Sequence, residues 1–247
     1  EEGRKSRGCF IAGSGYEALL TADYSQIEMR IMAHLSNDEH LLKAFESGED
    51  LHATVAAEVF GVKASDVDPE MRRQIKAMSY GLAYGLSSYG LAAQLDLSPP
   101  AAQDLMDRYF ERFGGIRDYL KTVVDDARKV GYTETVMGRR RYLPDLMHDN
   151  RQRREVAERM ALNAPIQGSA ADIIKQAMLN VQGALVAGKY ESRLLLQVHD
   201  ELILEVKTVE IDSVSELVRV QMGKAYPLRA PLDVSVGVGK SWNEAAH

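Results

Sequence analysis

Short apolar runs of strand character stand at both ends of this chain, and helical periodicity fills the stretch between them. Residues 17–23, EALLTAD, read as a buried strand that ends on an acid. Leu194-Leu195-Leu196-Gln197-Val198 and Leu202-Ile203-Leu204-Glu205-Val206 read as two more, separated by His199-Asp200-Glu201, and a further strand is expected at 232–238. Strands this far apart in sequence fit one α+β domain interrupted by a helical insertion. A length of 247 residues allows one large domain or two small ones.

The middle, roughly 37–130, carries apolar residues at helical spacing. Before it, Ile27, Ile31 and Leu35 share one helical face. Ser98-Pro99-Pro100 marks a helix start, because proline suits a first turn. Gly114-Gly115 is a break, and residues 131–138 look like a short β-hairpin arm. Pro165 and Gly168 predict an interruption between helices at 151–163 and 169–187. The last helix is expected at about 210–224.

Composition removes several classes. A single cysteine, Cys9, excludes an internal disulfide framework and fits a reducing compartment. No 18-residue apolar run exists, so no transmembrane helix is expected, and EEGRKSRGCF is not a signal peptide. It reads as a cut inside a longer chain. A net charge of −6 argues against a uniformly basic nucleic-acid coat and leaves a local basic face open.

Three places carry candidate chemistry. In Ala22-Asp23-Tyr24-Ser25-Gln26-Ile27-Glu28, Asp23 ends a buried strand, a costly position for a charge unless it is paired or binds a metal. Ser25 and Glu28 also fit a capping box. His199-Asp200-Glu201 reads either as a hairpin turn or as a metal site. The turn lacks the usual Gly or Asn, and a hard cation would relieve two adjacent carboxylates. Arg72, Lys76, Tyr80 and Tyr84 form a slowly winding helical stripe with cations first and aromatics after. It is either an amphipathic edge or a polyphosphate-and-base contact. Together the three match phosphoryl transfer on a nucleotide.

DYSQIEMR (23–30), RRQIKAMSYGLAYG (72–85) and LQVHDE (196–201) closely resemble the three polymerase motifs of family A DNA polymerases. RMALNAPIQGSAADIIK (159–175) and the terminal KSWNEAAH are similar to that family too, so the likeness covers essentially the whole chain in order. The resemblance implies an antiparallel palm sheet interrupted by helical fingers. It places palm at 1–36, fingers at 37–150 with the phosphate helix about 70–85, and palm again at 151–247 with the acidic hairpin about 194–206. It implies that Asp23, Asp200 and the Tyr24 backbone carbonyl hold two Mg²⁺ ions, with Glu201 in support. Arg72, Lys76 and His52 would contact the triphosphate, Lys76 also donating a proton to pyrophosphate. Gln26, Ile27, Glu28 and Tyr80 would meet the incoming nucleotide. Tyr84 would occupy the template-base position. Arg159, Asn163 and Gln167 would feel the minor groove, and His199 would lie near the primer end. Arg139, Arg140, Arg141, Arg151, Arg153 and Arg154 offer a basic stretch for phosphates, or a solvated helix face.

The implied partners are primer-template DNA and deoxynucleoside triphosphates, with no membrane, in a bacterial cytoplasm at the nucleoid. Glu28 matches the position that crowds a ribose 2′-hydroxyl, which disfavours the related RNA polymerases. Tyr80 stands where many bacterial relatives carry Phe, so weaker discrimination against dideoxynucleotides is expected. Only 22 residues precede Asp23. Family members carry a thumb and further segments there. Two functions follow: an active polymerase core, or a palm–fingers piece that binds dNTP or DNA without efficient turnover.

Overall fold

In the computed structural model, residues 2–46, 48 and 50–246 are described. The chain divides into two compact units. The first comprises residues 1–27, 170–227 and 231–247, and the second residues 28–169 and 228–230. Helices α1 (Glu2–Gly8), α2 (Ile27–Ser36), α3 (Glu39–Glu46), α4 (Leu51–Phe60), α5 (Pro69–Ala83), α6 (Ser88–Leu95), α7 (Pro99–Arg112) and α8 (Gly114–Val130) fill the first half, with strand β1 (Ala18–Tyr24) between α1 and α2. Strands β2 (Tyr132–Glu134) and β3 (Arg140–Tyr142) follow, then α9 (Arg151–Ala187), β4 (Arg193–Val198), β5 (Glu201–Val206), α10 (Ile211–Gly223), β6 (Val234–Gly239) and α11 (Trp242–Ala245).

The first unit is built on a four-stranded antiparallel sheet in the order β4-β5-β1-β6, as an α+β class requires. Strand β1 sits inside the sheet, and all its residues but Asp23 are buried. Alternation along it defines two faces. Tyr24 reaches α10, its hydroxyl donating to the Met222 carbonyl at 2.7 Å. Thr21 points the other way and donates to the Ala245 carbonyl of α11 at 2.6 Å. Asp23 shares the Thr21 face. The short α11 follows β6, so the helix at Ile211–Gly223 is not the last one.

The second unit is helical, with caps that match the sequence. Ser98 caps α7 ahead of Pro99 and Pro100, its hydroxyl accepting from the Ala101 N–H at 3.3 Å. The Gly114-Gly115 break has a packing cause. Buried Asp38 accepts from the Gly115 N–H at 2.9 Å, and a Cβ on Gly115 would stand 2.9 Å from that carboxylate. The hairpin arm is longer than the 131–138 reading, because Tyr132–Glu134 pairs with Arg140–Tyr142.

The expected interruption at Pro165 and Gly168 does not occur. α9 runs unbroken for 37 residues with Pro165 inside it. Proline removes one helical N–H. Around the fault, buried Ser169 donates its hydroxyl to the Pro165 carbonyl and accepts from the Val136 N–H at 2.9 Å. Tertiary contacts thus override the local breaker signal.

Candidate active site

The sheet register of the first unit assembles an acidic cleft. Asp23 lies directly opposite Glu201 across β1 and β5, and the Tyr24 N–H donates to the Asp200 carbonyl at 3.3 Å. Residues about 177 chain positions apart thereby meet: Asp23, His199, Asp200 and Glu201 line one cleft of about 160 Å³ together with Arg7 and Ala246. Burial first, then the Asp200 and Glu201 charges, push the Asp23 carboxyl up to about 6. The Tyr24 N–H and Arg7 pull weakly the other way.

The turn between β4 and β5 is a two-residue one, His199-Asp200, closed by the Val198–Glu201 pair. His199 takes φ +54° without being glycine. His is among the residues that tolerate this region, and such backbone positions recur at functional sites. Gln26 also has a positive φ, +56°, and its buried Oε1 has no hydrogen-bond partner among the described residues. Ile27 is buried at the start of α2. The Tyr24 phenol is committed to the core, and burial raises its pKa, which leaves only its backbone for a metal.

The capping-box reading of Ser25 and Glu28 is not what forms. The Ser25 N–H, which a capping-box glutamate would take, donates to the Asp233 carbonyl at 2.9 Å. Glu28 instead accepts from the Tyr84 hydroxyl at 2.8 and 3.0 Å.

The second unit carries the cation-and-aromatic stripe. Asp68 caps α5 through the Met71 N–H at 2.7 Å. Arg72 is exposed and pairs with Asp50 at 2.8 Å; Asp50 also caps α4. Burial opposes the ionised form of Asp50, but the Arg72 and backbone hydrogen bonds outweigh it and lower its pKa. Lys76 is exposed and makes no ion pair among the described residues. His52 is buried with its ring 6.0 Å from Tyr80, and its Nε2 has no hydrogen-bond partner among the described residues. Burial, then the nearby Arg72 and Lys76, push this imidazole down to about 4 against the pull of Asp50. At neutral pH it is therefore an uncharged hydrogen-bonding group.

Tyr84 stands at the C-cap of α5, just past the helical residues. A Cβ on the next residue, Gly85, would meet Leu162 at 3.0 Å and Arg159 at 3.1 Å, and Gly85 has φ +67°. This end of α5 therefore abuts α9 where Arg159, Asn163 and Gln167 follow at four-residue steps. Arg159 and Gln167 are exposed, and the buried Asn163 Oδ1 has no hydrogen-bond partner among the described residues. Gln167 also contacts the Tyr84 hydroxyl. Most of the basic stretch is engaged: Arg140 with Glu134 at 2.6 Å, Arg151 with Glu155 at 2.7 Å and Arg153 with Asp145 at 2.8 Å.

Three residues that sequence reasoning does not single out belong here: Arg7, Asp50 and Trp242. Trp242 donates its indole N–H to Glu201 at 3.1 Å, and Arg7 lies 5.0 Å over its ring. Trp242 is the only tryptophan, and it stands in the KSWNEAAH segment, the one signal that could have drawn attention to it.

Among the described residues no three His, Cys, Asp or Glu side chains form a ready-made metal cage. The cleft fits a hard cation in another way. Burial, then the neighbouring carboxylates, cost Asp23 its acidity, and Mg²⁺ commonly takes one or two carboxylates while keeping waters or substrate oxygens. No helix among the described residues is long and apolar enough to cross a membrane.

Known proteins resemble this chain in sequence and in fold. The chain is 62% identical over 247 residues to DNA polymerase I of Mycobacterium bovis, covering 100% of this chain and 27% of that protein. It is 46% identical over 245 residues to DNA polymerase I of Bacillus caldotenax, covering 99% and 28%. The chain thus spans little more than a quarter of these relatives. A solved structure, the POL domain of Pol1 from M. smegmatis in complex with DNA primer-template and dNTP, superposes with a TM-score of 0.97 at 63% identity, covering 100% of this chain and 44% of that one. The sequence profile of DNA polymerase family A matches residues 1–244, and the chain belongs to that family.

Proposed function

We propose that this chain carries the residues for template-directed DNA polymerisation, the Mg²⁺-dependent addition of a deoxynucleotide to a primer 3′-hydroxyl. The observation that carries the reading is the cleft in which the strand register gathers Asp23, Asp200 and Glu201 and raises the Asp23 carboxyl to about 6. Like charge concentrated at one spot is costly unless a cation shares it. Asp23, Asp200 and the Tyr24 carbonyl would hold two Mg²⁺ ions. When bound, these supply charge stabilisation to the attacking and leaving oxygens.

The remaining roles belong to the protein. Arg72 exchanges Asp50 for a phosphate, a swap of one exposed ion pair for another. Lys76, exposed and without an ion pair among the described residues, offers a cation and a proton for departing pyrophosphate. His52, neutral at working pH, offers a hydrogen bond rather than a charge. Glu28 guards the sugar 2′ position, Tyr80 and Tyr84 face nucleotide and template base, and Gln26 and Ile27 line the nucleotide's path. Arg159, Asn163 and Gln167 contact the minor groove, and His199 stands near the primer end. Palm at 1–36 and 151–247 with fingers at 37–150 remains the assignment of these parts. A DNA substrate places the work at the bacterial nucleoid, in the cytoplasm.

The test is primer extension by this chain at low salt across a DNA titration. Slow, Mg²⁺-dependent, template-directed addition is expected. Positioning of the 3′-hydroxyl supplies much of the rate, and about 1 Å of misplacement costs on the order of a hundredfold. Nucleotide binding without any extension at saturating DNA would favour the binding-only function instead.

A further inference from the structure

The indole of Trp242 is held from several sides. Its backbone N–H donates to the Phe10 carbonyl at 2.9 Å, and the Phe10 ring meets it edge-on at 5.6 Å. Ser241 caps α11, and Thr21 ties the end of that helix to β1. Such a side chain has little freedom to follow its neighbours, so its neighbours follow it. Two of them belong to the acidic cleft: Glu201 accepts the indole N–H, and the Arg7 guanidinium lies over the ring. Both also line the cleft with Asp23 and Asp200.

We propose that Trp242 is a positioning residue for the acidic cleft, seating Glu201 through its N–H and Arg7 through its ring face. It thereby fixes how much negative charge an entering cation meets. A hydrogen bond to a carboxylate is among the stronger ones, and it draws Glu201 toward the indole. The cation–π contact holds the positive Arg7 beside the cluster as a built-in counter-charge. The inference rests on the reading of Asp23 and Asp200 as cation ligands.

Since Trp242 is the only tryptophan, its emission reports on the cleft directly. The experiment is a Mg²⁺ titration of the folded chain, followed in parallel by calorimetric heat and by tryptophan emission. Emission is expected to change along the same saturation curve as the heat. Glu201→Gln, which keeps the fluorophore, is expected to suppress most of that emission change. Trp242→Phe keeps a ring for Arg7 and Phe10 but loses the N–H, and is expected to weaken Mg²⁺ binding about fivefold. Saturable heat with unchanged emission, or unaltered Mg²⁺ affinity in Trp242→Phe, would overturn the positioning role while leaving the cation site intact. Absence of saturable heat in the wild-type chain would overturn both.

Discussion

The two units of the molecule handle charge in opposite ways. In the first unit, Asp23, Asp200 and Glu201 crowd one cleft, and burial first, then the neighbouring charges, show as lost acidity at Asp23. In the second, several charged groups are already paired, although Lys76 makes no ion pair among the described residues. Arg72 rests on Asp50, Arg73 on Glu70, and Glu28 holds the Tyr84 hydroxyl. A cleft with uncompensated charge waits for a counter-ion. A surface whose groups hold one another waits for a ligand able to displace their partners, at a cost of only about 0.2–1 kcal/mol for each exposed pair. Substitutions in the first unit should therefore be severe and cation-linked, and those in the second graded and substrate-linked.

The largest effect is expected from Asp23→Ala or Asp200→Ala. Either should lower nucleotide incorporation by well over a hundredfold while leaving DNA affinity nearly unchanged, because charge stabilisation is lost mainly in the transition state. Single-turnover extension beside a DNA-binding measurement checks this. Incorporation within tenfold of wild type would remove that residue from the metal site.

Next comes the pH dependence of stability. The folded Asp23 carboxyl sits near 6, above its ordinary value of 3.8, so the folded state binds the proton more tightly than the unfolded one. Its favourable contribution is complete below about pH 4 and is lost as pH rises through about 6. Asp23→Asn should accordingly melt at a higher temperature than wild type at pH 7–8 without divalent cations, and the gain should vanish near pH 4. Mg²⁺ at pH 7.5 should raise the wild-type melting temperature and leave Asp23→Asn nearly unmoved. Melting curves with the reverse pH trend would show that the carboxylates do not oppose one another.

A graded effect is expected in the second unit from Glu28→Ala. If Glu28 crowds the sugar, the ratio of kcat/KM for ribonucleotides over deoxynucleotides rises. An unchanged ratio would leave Glu28 only its bond to Tyr84. The smallest effect belongs to Asp50→Asn, which keeps a good helix cap but frees Arg72. Triphosphate affinity should rise by about two- to fivefold, in keeping with an exposed pair. A loss of affinity would mean that Asp50 orients Arg72 rather than competing for it.

How much of this was legible in the sequence follows the same physics. Strand β1 could be read because a central strand is apolar along nearly its whole length, and Asp23 stood out as the charge ending it. The HDE turn could be read because two apolar runs flank it. What resisted reading was partnership. Nothing local says that Arg72 selects Asp50, that Glu28 takes Tyr84 rather than the Ser25 N–H, or that Trp242 reaches Glu201. Those choices are made by packing between segments distant in sequence. Pro165 misled for the same reason: its breaker signal is local, whereas the Val136 N–H supports the helix from elsewhere through Ser169. The motif likeness supplied roles for residues such as His52, Asn163 and Gln167, whose types and spacings alone say little.

The most direct test of the central claim is anomalous diffraction from a crystal of this chain soaked in Mn²⁺, a stand-in for Mg²⁺, together with a deoxynucleoside triphosphate. The account predicts anomalous density against the carboxylates of Asp23 and Asp200 that disappears in Asp23→Asn. Density elsewhere, with these two carboxylates bare, would contradict it.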